Sequence, residues 1–228
     1  MTNRTVAVAI DGPSGAGKST IARILAKELQ YIYVDTGALY RGVGYATLQR
    51  GITPTDADSV VELLPSLQVE LRYVEGVQRV FVNGEDVSDL IRTPEVSMAA
   101  SAVSALPPVR QYLFSLQQDM AAEFNVIMDG RDIGTVVLPN AQVKIFLTAS
   151  AEDRATRRYE ELKEKGVDTT YEEVLADMKQ RDYNDEHRAA APLKAAEDAV
   201  LVDTSGNTLE QSVAMLKQIV MERLEAAK

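Results

Sequence analysis

The chain contains no cysteine, which excludes disulfides, zinc–thiolate centres and a thiol nucleophile. Its single histidine, His187, cannot build a histidine metal cluster and, standing alone in a charged stretch, reads as a solvated side chain. No apolar run approaches the roughly 18 residues that a membrane span needs. The opening Met1-Thr2-Asn3-Arg4 leads into a short strand ending at Asp11-Gly12, so it does not read as a signal peptide. Basic residues are the minority, 24 against 34 acidic, for a formal net charge of -10. Such a chain has no overall electrostatic footprint for nucleic acid or an anionic membrane, and any anion site must be local. Glycine (13) and proline (8) are too sparse to suggest disorder. The expectation is a cytoplasmic monomer with neither nucleic acid nor membrane as partner. Its 228 residues suit one sizeable core carrying insertions.

What is present points to an α/β core. Five short apolar runs, Val6 to Ile10, Tyr31 to Val34, Val126 to Met128, Val143 to Leu147 and Val200 to Val202, read as buried strands. Four finish at or beside Asp11, Asp35, Asp129 and Asp203, and stretches with helical spacing separate several of them, as a parallel sheet requires. In such sheets ligands gather outside the carboxyl ends of the strands, so the aspartates there mark the place to look. Between Ser66 and Val87 the period changes to two: Val69, Leu71 and Tyr73 alternate with polar residues, as do Val80 and Val82 after Glu75-Gly76. With Asn83-Gly84 as a second turn, this predicts a small antiparallel sheet inserted into the α/β chain. The charge-rich stretch from Glu152 to Arg188 predicts two helices split at Gly166.

The strongest motif is Gly12-Pro13-Ser14-Gly15-Ala16-Gly17-Lys18-Ser19, followed by an amphipathic helix from Thr20 to Leu29. It fits the phosphate-loop pattern between a strand and a helix, where consecutive backbone N–H groups and the helix N-terminus enclose the diphosphate or triphosphate of a nucleotide. Lys18 then places its charge on the β and γ phosphates, and the Ser19 hydroxyl can coordinate Mg²⁺. The loop does not choose the reaction. A regulatory GTPase usually needs an Asn-Lys-x-Asp stretch for guanine, which the chain lacks, and a nucleic-acid motor needs a basic track. A small-molecule kinase must hold a second anion facing the first, and so predicts arginines supplied by other segments.

Arginines are there. Arg154, Arg157 and Arg158 fall three and four residues apart on one face of the first charged helix, and Arg181, Asp185 and Arg188 share a face of the second. The three arginines of the first helix read as ATP-phosphate ligands on a mobile helical lid. The competing reading is an ordinary solvated face, with Arg157 paired to Glu161 at i, i+4.

Together, Asp11 to Lys18, Asp35-Thr36-Gly37-Ala38-Leu39-Tyr40-Arg41, Ile91-Arg92-Thr93, Asp129-Gly130-Arg131-Asp132-Ile133-Gly134-Thr135-Val136-Val137, Lys144 to Leu147, Arg181-Asp182 and Arg188 resemble the bacterial cytidylate kinases. The resemblance runs from about Val6 to beyond Val202. It implies the nucleoside monophosphate kinase fold, a five-stranded parallel core flanked by helices with a small antiparallel insert and a helical lid. It also implies core segments at 1–38, 111–150 and 189–228, a monophosphate-binding region at 39–110 with its insert at about 66–90, and a lid at 151–188.

The activity implied is ATP-dependent phosphorylation of CMP, and of dCMP, with Mg²⁺. ATP falls to residues Gly12 to Thr20 (Gly12, Pro13, Ser14, Gly15, Ala16, Gly17, Lys18, Ser19, Thr20), joined by Arg154, Arg157 and Arg158. Catalysis falls to Lys18, Arg131, Arg158 and Arg181. Thr36, Arg41, Asp129, Arg131 and Arg181 fall on the acceptor side, where guanidinium forks match phosphate oxygens. Ser101, Arg110, Asp132 and Arg188 resemble the set around cytosine, in which a carboxylate accepts from the N4 amino group. Asp185 resembles a sugar-hydroxyl acceptor, with a helix salt bridge to Arg181 or Arg188 as the alternative. Thr36 departs from the serine frequent in relatives but keeps the hydroxyl.

Overall fold

The computed structural model describes residues 5–75 and 77–226; the opening Met1-Thr2-Asn3-Arg4 and Gly76 of the expected first hairpin turn lie outside them. The strands are β1 (Ala7–Asp11), β2 (Ile32–Asp35), β3 (Val69–Val74), β4 (Val77–Val82), β5 (Glu85–Asp86), β6 (Val126–Gly130), β7 (Val143–Thr148) and β8 (Val200–Asp203). The helices are α1 (Lys18–Leu29), α2 (Thr36–Gln49), α3 (Ala57–Leu63), α4 (Pro94–Ser104), α5 (Pro107–Glu123), α6 (Ala151–Glu164), α7 (Tyr171–His187) and α8 (Leu209–Ala226). The chain divides into two compact units, one comprising Met1–Tyr33 and Ala121–Lys228, the other Val34–Met120.

The first unit is built on a five-stranded parallel sheet of order β2-β6-β1-β7-β8. β1 lies at its centre, paired with β6 from Ala7↔Val126 to Asp11↔Gly130 and with β7 from Val8↔Val143 to Asp11↔Phe146. A strand covered on both faces must be apolar throughout, which is why Ala7 to Ile10 shows no alternation. Val8, Ile10, Ile127, Val143, Ile145 and Leu147 pack there against Ile21 and Leu25 of α1 and Leu216 and Val220 of α8. All five apolar runs of the sequence are strands of this sheet. Several continue past their last apolar residue, because backbone pairing carries Asp11, Asp35, Gly130 and Asp203 into the ladders at their carboxyl ends.

The charged stretch forms the expected helical hairpin. Ser150 caps α6 through the Asp153 N–H, Gly166 takes the left-handed conformation (φ 70°) just beyond its end, and Thr170 and Glu173 form a capping box at the start of α7. Ala155, Leu162, Val174 and Met178 make the seam between the two helices. No helix among the described residues is long and apolar enough to cross a membrane.

In the second unit, α2, α4 and α5 enclose a core of Leu39, Val43, Val103, Val109 and Leu113, which Val60 and Leu63 of α3 join. The antiparallel sheet β3-β4-β5 adds Val69, Val80 and Val82 to the same core. A polar knot ties that sheet together: Ser88 Oγ donates to Asp86 (2.6 Å) and accepts from the Val80 N–H (2.8 Å), while Arg79 pairs with both Asp86 (2.7 Å) and Asp89 (3.0 Å). The Ser88 hydroxyl leads the contacts that hold the Asp86 carboxyl down at about 2, against an ordinary value of 3.8. A depressed carboxyl contributes stability above its unfolded pKa and loses it as pH falls through the folded one. Asp86→Asn should therefore be less stable than wild type at neutral pH, and the difference should shrink between about pH 4 and pH 2; thermal melts across that range check it.

Candidate active site

The chain leaves β1 at Asp11 and re-enters regular structure at Lys18, so residues 12–17 form a loop at the carboxyl edge of the sheet. Gly12 has φ +151°, and a Cβ there would lie 1.9 Å from the Leu147 carbonyl oxygen, so β7 leaves room only for glycine. The loop delivers its backbone to the N-terminus of α1, which carries no acidic residue in its first turn. Unpaired N–H groups and the positive end of the helix make this an anion-binding end. Lys18, 5% exposed, turns its Nζ back onto the Pro13 carbonyl at 2.7 Å. Burial, with Arg131 adding to it, lowers the Lys18 pKa to about 7 against the opposing pull of Asp129 and Asp11.

Asp129 stands near the end of β6, next to the strand that feeds the loop. Its carboxylate accepts from the Ser19 hydroxyl (2.8 Å) and from the Tyr33 hydroxyl (2.9 Å). The described residues contain no cluster of three or more His, Cys, Asp or Glu that could hold a metal by themselves. A hydroxyl beside a carboxylate at a phosphate loop nevertheless suits Mg²⁺, a hard cation that takes most of its ligands from phosphate and water. Asp129, placed by resemblance with the acceptor residues, is thus found beside the group expected to hold the metal.

After β6 the charged side chains interlock. Arg131 Nε donates to Asp185 at 2.8 Å, Arg188 lies 3.7 Å from Asp132 and 4.0 Å from Asp185, and both carboxylates are buried. Burial raises the Asp185 carboxyl, but Arg131, Arg181 and Arg188 together more than offset it, so it sits below the usual range. The foremost partner of Asp185 is therefore Arg131, 54 residues away in sequence, which helix spacing does not reveal. His187 is exposed, stacked on Tyr183 at 4.0 Å.

The three arginines of α6 separate. Arg154 is 4% exposed and fully engaged: it donates to the Ala149 carbonyl (3.0 Å), the Ser14 carbonyl of the phosphate loop (2.9 Å) and both oxygens of Asp182 on α7 (3.2 and 2.6 Å). Arg157 donates to the Thr204 carbonyl at 3.3 Å. Glu161 pairs with Arg158 (2.8 Å) and Lys165 (2.6 Å), not with Arg157 as the i, i+4 spacing suggested. The i, i+3 partner reaches Glu161, while the loop after β8 offers Arg157 a carbonyl. Nothing in the spacing singles out Asp182 as the group that holds Arg154.

In the second unit, Asp35 caps α2 by accepting from the Ala38 N–H (2.8 Å) and also pairs with Arg41 (2.8 Å). Thr36, the first residue of α2, is 2% exposed. Arg41 keeps a buried Nε without a hydrogen-bond partner among the described residues. Ser101 lies on α4; Arg110, on α5, donates to the Ser104 carbonyl (3.3 Å) and sits 5.7 Å from the Tyr40 ring centroid.

Comparison with known proteins decides the family. The cytidylate kinase family model matches residues 8–222. A cytidylate kinase of Caldicellulosiruptor bescii is 52% identical over 208 residues, 91% of this chain and 92% of that one. Another, from Ligilactobacillus salivarius, is 50% identical over 216 residues, 95% and 96% of the two chains. The chain belongs to the cytidylate kinase family. It is a kinase, and as a member of that family it acts on small-molecule nucleotides by ATP-dependent phosphoryl transfer. The crystal structure of an uncharacterized protein from Eubacterium ventriosum shares the fold, with a TM-score of 0.52 at 13% identity over 96% and 99% of the two chains.

The separation of the α6 arginines has a measurable consequence. Asp182→Ala strands a buried guanidinium and should cost about 3 kcal/mol in chemical denaturation. Arg158→Ala removes an exposed pair and should change stability by less than about 0.5 kcal/mol.

Proposed function

We infer that this chain transfers the γ-phosphoryl group of ATP to CMP, and to dCMP, giving the diphosphate. The observation that carries the reading is the interlocked group Arg131, Asp132, Asp185 and Arg188 beyond β6, with Arg131 near enough to depress the Lys18 pKa. Lys18 and the α1 N-terminus supply charge for ATP, and the arginines supply it for an acceptor phosphate. Thr36 and Arg41 serve that phosphate as well; the buried Nε of Arg41, without a partner among the described residues, is a donor suited to one of its oxygens. Ser101, Arg110, Asp132 and Arg188 are assigned to cytosine, and Asp185 to the sugar, for which it would exchange part of its bond to Arg131.

An acceptor phosphate oxygen attacks the γ-phosphorus in line, the bond from that phosphorus to the β,γ-bridging oxygen breaks and ADP leaves, with the protein positioning groups and neutralising charge. The acceptor phosphate is largely ionised near neutral pH, so no general base is needed. Ser19 and Asp129, hydrogen-bonded at 2.8 Å, are the residues that would hold Mg²⁺ arriving with ATP, which would supply charge neutralisation at the phosphates. Arg158, paired with the exposed Glu161, and Arg181 are the groups assigned to the transferring phosphoryl once the α6–α7 hairpin closes as a lid. Arg154 serves the donor through the phosphate-loop backbone, which it grips at Ser14. We place the reaction in the cytoplasm, with the chain acting as a monomer.

Lys18→Ala should lower kcat by two orders of magnitude or more, on the order of the loss of one preorganised charge, with the fold intact by circular dichroism. For the base, cytosine presents an amino donor where uracil presents a carbonyl, so an ionised Asp132 attracts one and repels the other. Asp132→Ala should lower kcat/KM for CMP by a factor corresponding to roughly 1.5 to 3 kcal/mol, while UMP loses less or gains. An unchanged CMP-to-UMP ratio would remove Asp132 from base recognition, leaving its pairing with Arg188 as its role.

A further inference from the structure

Asp11, the last residue of β1, is 4% exposed and has no part in the site described above beyond its pull on Lys18. Instead, its two carboxylate oxygens each accept one backbone N–H: Oδ1 from Ile133 and Oδ2 from Gly134, both at 2.7 Å. These N–H groups open a π-helical turn, Ile133–Val137, whose preceding residue is Asp132. The first N–H groups of any helical segment lack intrahelical partners, and buried ones need an acceptor from elsewhere. Here that acceptor comes from the strand that feeds the phosphate loop. The opposite side of the turn is equally constrained, since a Cβ on Gly134 would lie 3.2 Å from Lys144 Cδ and 3.4 Å from Asp11 Oδ2. Lys144 is in turn fixed by the Pro139 carbonyl (2.5 Å) and Asp198 (2.9 Å).

We propose that Asp11 is a positioning residue for the acceptor base: by clamping the N–H groups of Ile133 and Gly134 it sets the direction of Asp132 and so the preference for cytosine. The proposal rests on the reading of Asp132 as the cytosine-selecting group. Geometry supports a clamp over a packing role, because the strand pairing of Asp11 with Gly130 and Phe146 is made by its backbone and survives a side-chain change. Burial pushes the Asp11 carboxyl up to about 7 even though both N–H bonds pull it down, so the two donors are what keep an ionisable group tolerable at this depth.

Asp11→Asn keeps the volume but offers one acceptor oxygen and one amide, which meets an N–H donor-to-donor, so one of the two bonds is lost. Steady-state kinetics with CMP and UMP on this variant should show kcat/KM for CMP reduced about tenfold, with the CMP-to-UMP ratio falling alongside it. Gly134→Ala keeps the carboxylate but sets a methyl 3.2 Å from Lys144 Cδ and 3.4 Å from Asp11 Oδ2, so the clamp must give by a few tenths of an ångström; it should give the same narrowed ratio, and it stands as the second variant should Asp11→Asn not fold. A merely structural role lowers both substrates in equal proportion. An active wild type whose variants show that equal loss, or no loss, overturns the inference alone. A wild type that does not phosphorylate CMP overturns the functional reading, and this inference with it.

Discussion

A buried ammonium organises this molecule. Lys18 is 5% exposed, and a lysine at that depth is held charged only by surrounding acceptors and by whatever anion it meets. The chain surrounds it with the Pro13 carbonyl and the carboxylates of Asp11 and Asp129, yet places Arg131 close enough to weaken their effect, and the pKa falls to about 7. This puts a buried cationic group at the phosphate loop of a protein whose net charge is -10. A triphosphate is the kind of ligand that completes it.

The rest of the first unit follows from having to bring charge to that place without flooding it with water. The parallel sheet ends in aspartates, and each has been given a different task by its partners. Asp11 holds backbone N–H groups, and Asp129 holds two hydroxyls. Asp182 and Asp185, on α7, hold Arg154 and Arg131. Identical carboxylates thus serve as a turn clamp, an acceptor for two hydroxyls and two arginine braces, and what distinguishes them is the donor each one meets. Arg154 shows the same principle from the basic side: enclosed by two carbonyls and a bidentate carboxylate, it supports the loop, whereas Arg158 keeps its charge near solvent.

The fold was largely legible in the sequence. Uninterrupted apolar runs such as Val143 to Leu147 have one stable solution, a strand covered on both faces, and the two-residue period around Leu71 has another. Gly166 and the residues around it carried enough cap chemistry to split the charged stretch into two helices. Partners were another matter. Spacing tells which side chains share a helix face but not which of two arginines wins a shared glutamate, and Glu161 went to Arg158. The bonds from Arg131 to Asp185 and from Asp11 to Gly134 join residues 54 and 123 positions apart. Only the closure of the chain brings these together, so no local pattern announces them.

The central claim, that this arrangement serves phosphoryl transfer to a cytosine nucleotide, is tested most directly by coupled measurement of ADP formation from ATP and Mg²⁺ with CMP, dCMP, UMP, AMP, GMP and TMP in turn. The account predicts strong acceleration by CMP and dCMP and much weaker acceleration by the others. ADP formation that no monophosphate accelerates, or that a purine monophosphate accelerates best, would contradict it.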